Sequence, residues 1–212
     1  MAAKKQRKKA AVPAAGKEPK PASVGVLDRL NSDELAAVLR SLLTKHPALQ
    51  GEAEAIAAEG VSSPSVEGVA DDVFFNVTNL DLDDLNGRAG RHSWGYVEPV
   101  EAAEELFEES VAGNLEDMLR RMDLGFETAS EAVCMGIVLG LFRAGKNGSS
   151  LLEWDPDFPA EHAGYVVDEY LRKCPAEKRN AAAERLAEKL GRLVPEWAEM
   201  ISKEAKRATQ GT

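Results

Sequence analysis

The run AVCMGIVLGLF, residues 132–142, carries no charged side chain and none of the alternation of a half-buried strand. Directly before it, Thr128 and Glu131 stand at capping-box spacing. A helix opened there is apolar on nearly every face, through Val133, Met135, Ile137, Val138, Leu139, Leu141 and Phe142. Such a helix is stable in water only when other helices wall it round. The run is well short of the ~20 apolar residues that span a bilayer. It therefore predicts a soluble bundle built around one central helix.

The rest of the chain supplies the walls. Asn31 with Glu34 is a second capping box, followed by Leu35, Val38, Leu39, Leu42 and Leu43 on one helical face. Pro47 opens the next helix, with Leu49, Ala53, Ile56 and Ala57 inward and Gly60 as its stop. A third follows Ser63-Pro64 with Val66, Val69, Val73, Phe74 and Val77, and a short turn over residues 81–85 closes at Asn86-Gly87. Pro99 opens a long helix in which Gly113 is expected to bend or interrupt the axis. Pro159, Pro175 and Pro195 open three more. With no strand pattern found, the expected fold is all-α: a compact bundle of about seven or eight helices with a disordered basic N-terminal arm. The expected boundaries are an arm over 1–25, a single all-helical domain over 26–206 and a frayed C-terminus over 207–212.

Charge is unevenly divided. Residues 1–21 hold seven Lys/Arg and one Glu, a net of +6. Residues 22–171 carry a net of −20 and residues 172–212 a net of +4. The arm has little to bury and cannot offset the entropy of ordering. Its Lys4, Lys5, Arg7, Lys8 and Lys9 can touch a polyanion, or serve only as a solubilising tail. The acidic body repels nucleic acid. Cys134 and Cys174 have no metal-like spacing and read as reduced thiols. The basic N-terminus has no apolar run after it and does not read as a secretory signal, so the expected location is cytoplasmic.

Several motifs come near to chemistry and miss it. GLFRAGKN, residues 140–147, resembles a phosphate-binding loop but ends in Asn147, which has no hydroxyl for Mg²⁺, and it lies at the end of a helix. DLDDLNG, residues 81–87, has Leu85 and a late glycine where a calcium loop needs an acid and an earlier one, so it reads as a capped helical turn. His46, His92 and His162 are too scattered to make a metal pattern by spacing. Glu101, Glu104, Glu105, Glu108 and Glu109 form an acidic helix face, either solvated or available to a basic partner. No catalytic, cofactor-binding or metal-ligating residue is assigned.

The most suggestive stretch is NGRAGRHSWGYVEP, residues 86–99. Arg88 and Arg91 can grip an anion, and Trp94 and Tyr96 can stack a ring or hold a peptide. The same residues can instead pin a long connection, with the rings buried and the arginines paired to the acidic helix that follows. A second loop, around Trp154 and Phe158, has the same duality.

The functional expectation is a non-catalytic cytosolic interaction or scaffold protein, with a protein partner contacting Arg88, Arg91, His92, Trp94 and Tyr96. The first alternative is a nucleic-acid-associated protein, making weak polyanion contact through the arm. The second is an enzyme or metal protein whose site assembles in three dimensions around His92 or His162 and carboxylates. No cofactor and no membrane partner are expected.

Overall fold

The computed structural model describes residues 25–93, 95–148 and 150–210. The arm, including Lys4, Lys5, Arg7, Lys8 and Lys9, lies outside the described residues, as does Trp94. Among the described residues there are nine α-helices and one two-stranded hairpin. The chain divides into two units, with the boundary between Glu52 and Ala53.

The described part of the first unit consists of a 3-10 turn, Leu27–Arg29, then α1, Ser32–Lys45, a second 3-10 turn, Pro47–Leu49, and the start of α2, Gln50–Ser62. The capping box is formed as expected: Asn31 Oδ1 accepts from the Glu34 amide at 2.9 Å, and Glu34 Oε2 accepts from the Asn31 amide at 2.9 Å. The expected inner face is not inner. No residue of α1 or α2 is buried, and Leu35, Val38, Leu39 and Leu42 are 42–49% exposed. Ile56 is exposed as well, and α2 runs past Gly60 to Ser62. The periodicity correctly marked a helix, but a single helix has no second surface against which to bury its own stripe.

The second unit is built round α6, Glu127–Asn147, of which twelve of 21 residues are buried. Against it lie α3, Val66–Thr78; α5, Pro99–Asp123; α7, Phe158–Lys173; and α8, Ala176–Leu193. The last helix, α9, Ala198–Gln210, packs on α7 and α8. A two-turn helix, α4, Leu82–Arg88, leads into the hairpin β1, Gly90–His92, and β2, Gly95–Val97. By length and composition α6 can cross a membrane, but 67% of its apolar window is buried inside this unit.

The contact between α3 and α6 is the tightest in the core. A Cβ on Gly136 would lie 2.6 Å from Val69 Cβ and 2.8 Å from the Val66 carbonyl oxygen. One on Gly140 would lie 2.7 Å from the Ala70 carbonyl oxygen and 2.7 Å from Val73 Cβ. Spaced i, i+4, the two glycines cut one groove along α6 into which the α3 backbone settles. Gly140 thus serves helix packing. Residues 145–148 are the expected helix stop: the Gly148 amide bonds the Ala144 carbonyl at 3.0 Å, with φ +67° at the glycine.

Four local expectations are corrected. Gly113 does not break α5, which is continuous over 25 residues, because the tertiary contacts of Phe107, Val111, Met118 and Met122 hold both halves to the core. Thr128 does not cap α6: the helix begins at Glu127, and Ser130 Oγ donates instead to the Met118 carbonyl of α5 at 2.8 Å. The C-terminus does not fray at residue 207, since Ala205 and Ala208 are buried and α9 continues to Gln210. The strands absent from the sequence reading are the two three-residue strands of the hairpin.

The glycine groove makes a contrast that denaturant titration can measure. Gly136→Ala and Gly140→Ala each force α3 away from α6, and each is expected to lower unfolding free energy by ~1–3 kcal/mol. Gly113→Ala, where an added Cβ meets nothing within 4 Å, is expected to raise it by ~0.5–1 kcal/mol through helix propensity.

Candidate functional site

The hairpin follows from its flanks. Asp81 caps α4, its Oδ1 accepting from the amides of Asp83 at 2.8 Å and Asp84 at 3.1 Å, while Asp84 accepts from the Asp81 amide at 3.0 Å. The calcium-like residues 81–87 are therefore a capped helix, as the spacing suggested. The helix delivers Arg88 beside the acidic face of α5. Its guanidinium donates to both oxygens of Glu109, at 2.7 Å on Oε1, and lies 4.0 Å from Glu105. The hydrogen bonds from Arg88 hold the Glu109 carboxyl below the usual carboxylate range.

Past Arg88 the chain turns through Gly90 at φ +106°, a conformation that favours glycine. The strands pair Gly90 with Val97, Arg91 with Tyr96 and His92 with Gly95. Residues 90, 92, 95 and 97 share one face, on which Val97 packs against the core. Arg91 and Tyr96 stand directly opposite each other on the other face, both exposed, with Tyr96 at 61%. The His92 ring stays near the backbone, its Nε2 donating to the Arg88 carbonyl at 2.6 Å.

Of the five expected contact residues, Trp94 lies outside the described residues and the other four are divided. Arg88 is engaged by the acidic helix and His92 by the loop backbone. Arg91 and Tyr96 form an exposed cationic-aromatic pair. Tyr96 does not anchor the loop with its ring, as the pinning reading required. In the second loop the duality resolves by residue: Phe158 is buried and stacks on Phe107 with centroids 4.8 Å apart, whereas Trp154 is 44% exposed.

A second polar cluster assembles where α5 meets α7. Glu104 and Glu108 of α5, with Asp155, Phe158, Glu161, His162 and Tyr165, line a cavity of about 240 Å³. His162 is only 8% exposed, and its ring stacks 4.9 Å from Phe158. Its Nε2 is buried with no hydrogen-bond partner. Burial pushes its pKa down to about 4, so the ring is neutral at pH 7. His92 is not among the lining residues. Among the described residues, no group of three or more His, Cys, Asp or Glu side chains is placed to hold a metal ion. The cluster gathers carboxylates around a neutral ring, an arrangement that attracts cations.

A third cluster was not anticipated. Glu131, read from sequence as a capping residue, is 3% exposed. Its Oε2 accepts from Arg185 Nε at 2.7 Å and Nη2 at 2.5 Å, and from the Tyr170 hydroxyl at 3.3 Å, while Oε1 accepts from Lys189 Nζ at 2.6 Å. Burial alone would raise its pKa, but the hydrogen bonds from Arg185 and Lys189 hold it below the usual range. Nearby, burial pushes up the thiols of Cys134 and Cys174, both free, consistent with inert reduced side chains. One signal was present: Glu131 shares a helical face with Cys134, Val138 and Leu141, so the central helix carries a carboxylate on a buried stripe.

No protein-family model matches the chain, and no curated protein or solved structure matches it.

The cavity predicts a pH dependence. The folded pKa of His162, about 4, lies below the ordinary value of ~6.5. Between these values the unfolded chain binds a proton that the native state excludes. The stability is therefore full above pH ~6.5 and declines as pH falls to ~4, by on the order of 3 kcal/mol. Glu131, also depressed, adds its loss at lower pH, as its folded pKa is crossed. His162→Leu is expected to flatten the first limb and leave the second, measured by denaturant unfolding at stepped pH.

Proposed function

We propose that this protein is a non-catalytic, cytosolic interaction protein whose α1 is its main docking element. The observation that carries the reading is the α1 stripe: Leu35, Val38, Leu39 and Leu42 on one face of a well-capped helix, each 42–49% exposed. No residue of α1 is buried. Completing the burial of a half-exposed aliphatic side chain contributes about 1 kcal/mol, from the ~1.5–3 kcal/mol of full burial. Four such residues in register are what an amphipathic helix offers a complementary apolar surface.

The exposed pair Arg91 and Tyr96 supports a second contact, since Arg and Tyr are the residue types most often found as interface anchors. Arg88, His92 and Trp94 remain part of that proposed partner surface, with Arg88 and His92 acting as the scaffold that presents the pair. Weak polyanion contact through the arm remains the alternative reading, supported by its net of +6. Its signature is a steep loss of affinity with salt.

The test is a photo-cross-linking amino acid in place of Leu39 in the full chain, activated in cells. Intermolecular adducts that vanish when Leu35 and Leu42 are also replaced by Asp are the expected result. An adduct confined to the same chain, mapping to residues 53–210, overturns the reading.

A further inference from the structure

We propose that the cavity between α5 and α7 is a binding site for a guanidinium group, held by the carboxylates of Glu104, Glu108, Asp155 and Glu161 against the rings of His162 and Tyr165. The site lies wholly within the second unit. It is independent of what α1 docks against.

The first observation is uncompensated charge. The acidic face of α5 is divided. Arg88 bonds Glu109 and lies 4.0 Å from Glu105, so that part of the face has its cation. Glu104 and Glu108, one turn apart, line the cavity instead. Asp155, from the segment between α6 and α7, and Glu161 of α7 join them. Among the described residues, no Lys or Arg pairs with any of these four. Asp155 spends one oxygen on the Phe158 amide, at 3.1 Å. Arg172, whose charge reaches Tyr165, is itself held by Asp168 at 2.9 Å. Four carboxylates around one cavity repel each other, and a cation placed among them relieves that repulsion.

The second observation is His162. It lines the same cavity, is only 8% exposed, and its Nε2 meets no hydrogen-bond partner. Buried polar nitrogens are nearly always bonded. A neutral imidazole offers one ring nitrogen as a donor and the other as an acceptor, so it can accept from an N–H of a bound cation. A charged ring would repel that cation, and burial keeps this one neutral at pH 7. The ring lies between Phe158, at 4.9 Å, and Tyr165, at 5.4 Å, which extends it into an aromatic wall.

Geometry then selects the cation. The carboxylates come from three stretches of chain and do not converge. Among the described residues, no group of three or more His, Cys, Asp or Glu side chains is placed to hold a metal ion. A compact charge, whether a divalent ion or an ammonium, needs such convergence. A guanidinium spreads its N–H donors over a plane, so it can meet carboxylates on different sides. It also stacks on aromatic faces and is more weakly hydrated than an ammonium. At about 240 Å³ the cavity is smaller than the ~300–1,000 Å³ of drug-sized pockets, which suits one such head on a short stem. The head has the same chemistry on a free small molecule and on an arginine side chain.

The experiment adds n-butylguanidinium to the full chain at ~0.15 M ionic strength, where distant acidic residues are screened. Binding is read from the carbon–proton magnetic resonance signal of the His162 ring. A saturable shift in the millimolar range is expected, with n-butylammonium binding several-fold more weakly. Glu104→Gln combined with Glu108→Gln should weaken binding roughly tenfold or more. Glu101→Gln combined with Glu116→Gln removes the same charge from the same helix outside the cavity, and should leave binding unchanged. All four glutamates are exposed, and an unchanged denaturation midpoint checks that both variants fold. His162→Phe keeps a ring but removes its nitrogens, and should weaken binding several-fold, read from the Tyr165 ring. No saturable shift, equal loss in the two double variants, or n-butylammonium binding as tightly as n-butylguanidinium overturns the proposal. The source of the group is read from a capped arginine dipeptide. Tighter binding of the dipeptide than of n-butylguanidinium assigns the group to a polypeptide, and weaker binding assigns it to a free small molecule.

Discussion

The second unit depends on the close approach of α3 to α6. An apolar helix needs a neighbour on every side that it buries, and α3 comes nearer than side chains ordinarily permit only where α6 leaves room for its backbone. Gly136 and Gly140 supply that room, with Val66, Val69, Ala70 and Val73 filling it. The other walls are then set at ordinary distance: α5 through Ser130 on the Met118 carbonyl, α7 through Tyr170, and α8 through Arg185 and Lys189. Three of those ties end on Glu131. A buried carboxylate is costly unless every lone pair is met. Here the donors come from two helices, so α7 and α8 must take one register on α6 to satisfy it. The cluster is better understood as a specifier of register than as a source of net stability.

Much of this architecture was legible in the chain because hydrophobic period and capping are local properties. The central helix, the proline-opened α5, α7 and α8, and the caps at Asn31 and Asp81 follow from residues within a turn or two of each other. Thr128 and Glu131 have the same local form and a different fate: the pull of Arg185 and Lys189, more than fifty residues away, outweighs a cap worth ~1 kcal/mol. The hairpin was illegible for another reason. Three residues per strand, one of them glycine, leave no alternation to detect, and its existence depends on the φ of Gly90 and on Val97 reaching the core.

Of the polar groups, the Arg88–Glu109 pairing could be anticipated from an arginine next to an acidic helix. The exposure of Tyr96 could not, because it depends on which face of the hairpin meets the core, and a shift of one residue in register would have reversed it. The cavity at His162 joins α5 to α7 across more than fifty residues of sequence, and only the crossing of those helices brings Glu104 and Glu108 to Asp155 and Glu161. Lying on the acidic face marked these glutamates as polar. It did not mark two of them as neighbours of a buried neutral imidazole.

The contrast between α1 and α6 turns the same grammar toward function. Both carry aliphatic side chains at helical spacing, on one face in α1 and on nearly every face in α6. The central helix buries its apolar side chains within its own unit, while no residue of α1 is buried. The acidic face of α5, with five glutamates in nine residues, is by contrast complementary to a basic surface rather than to an apolar one.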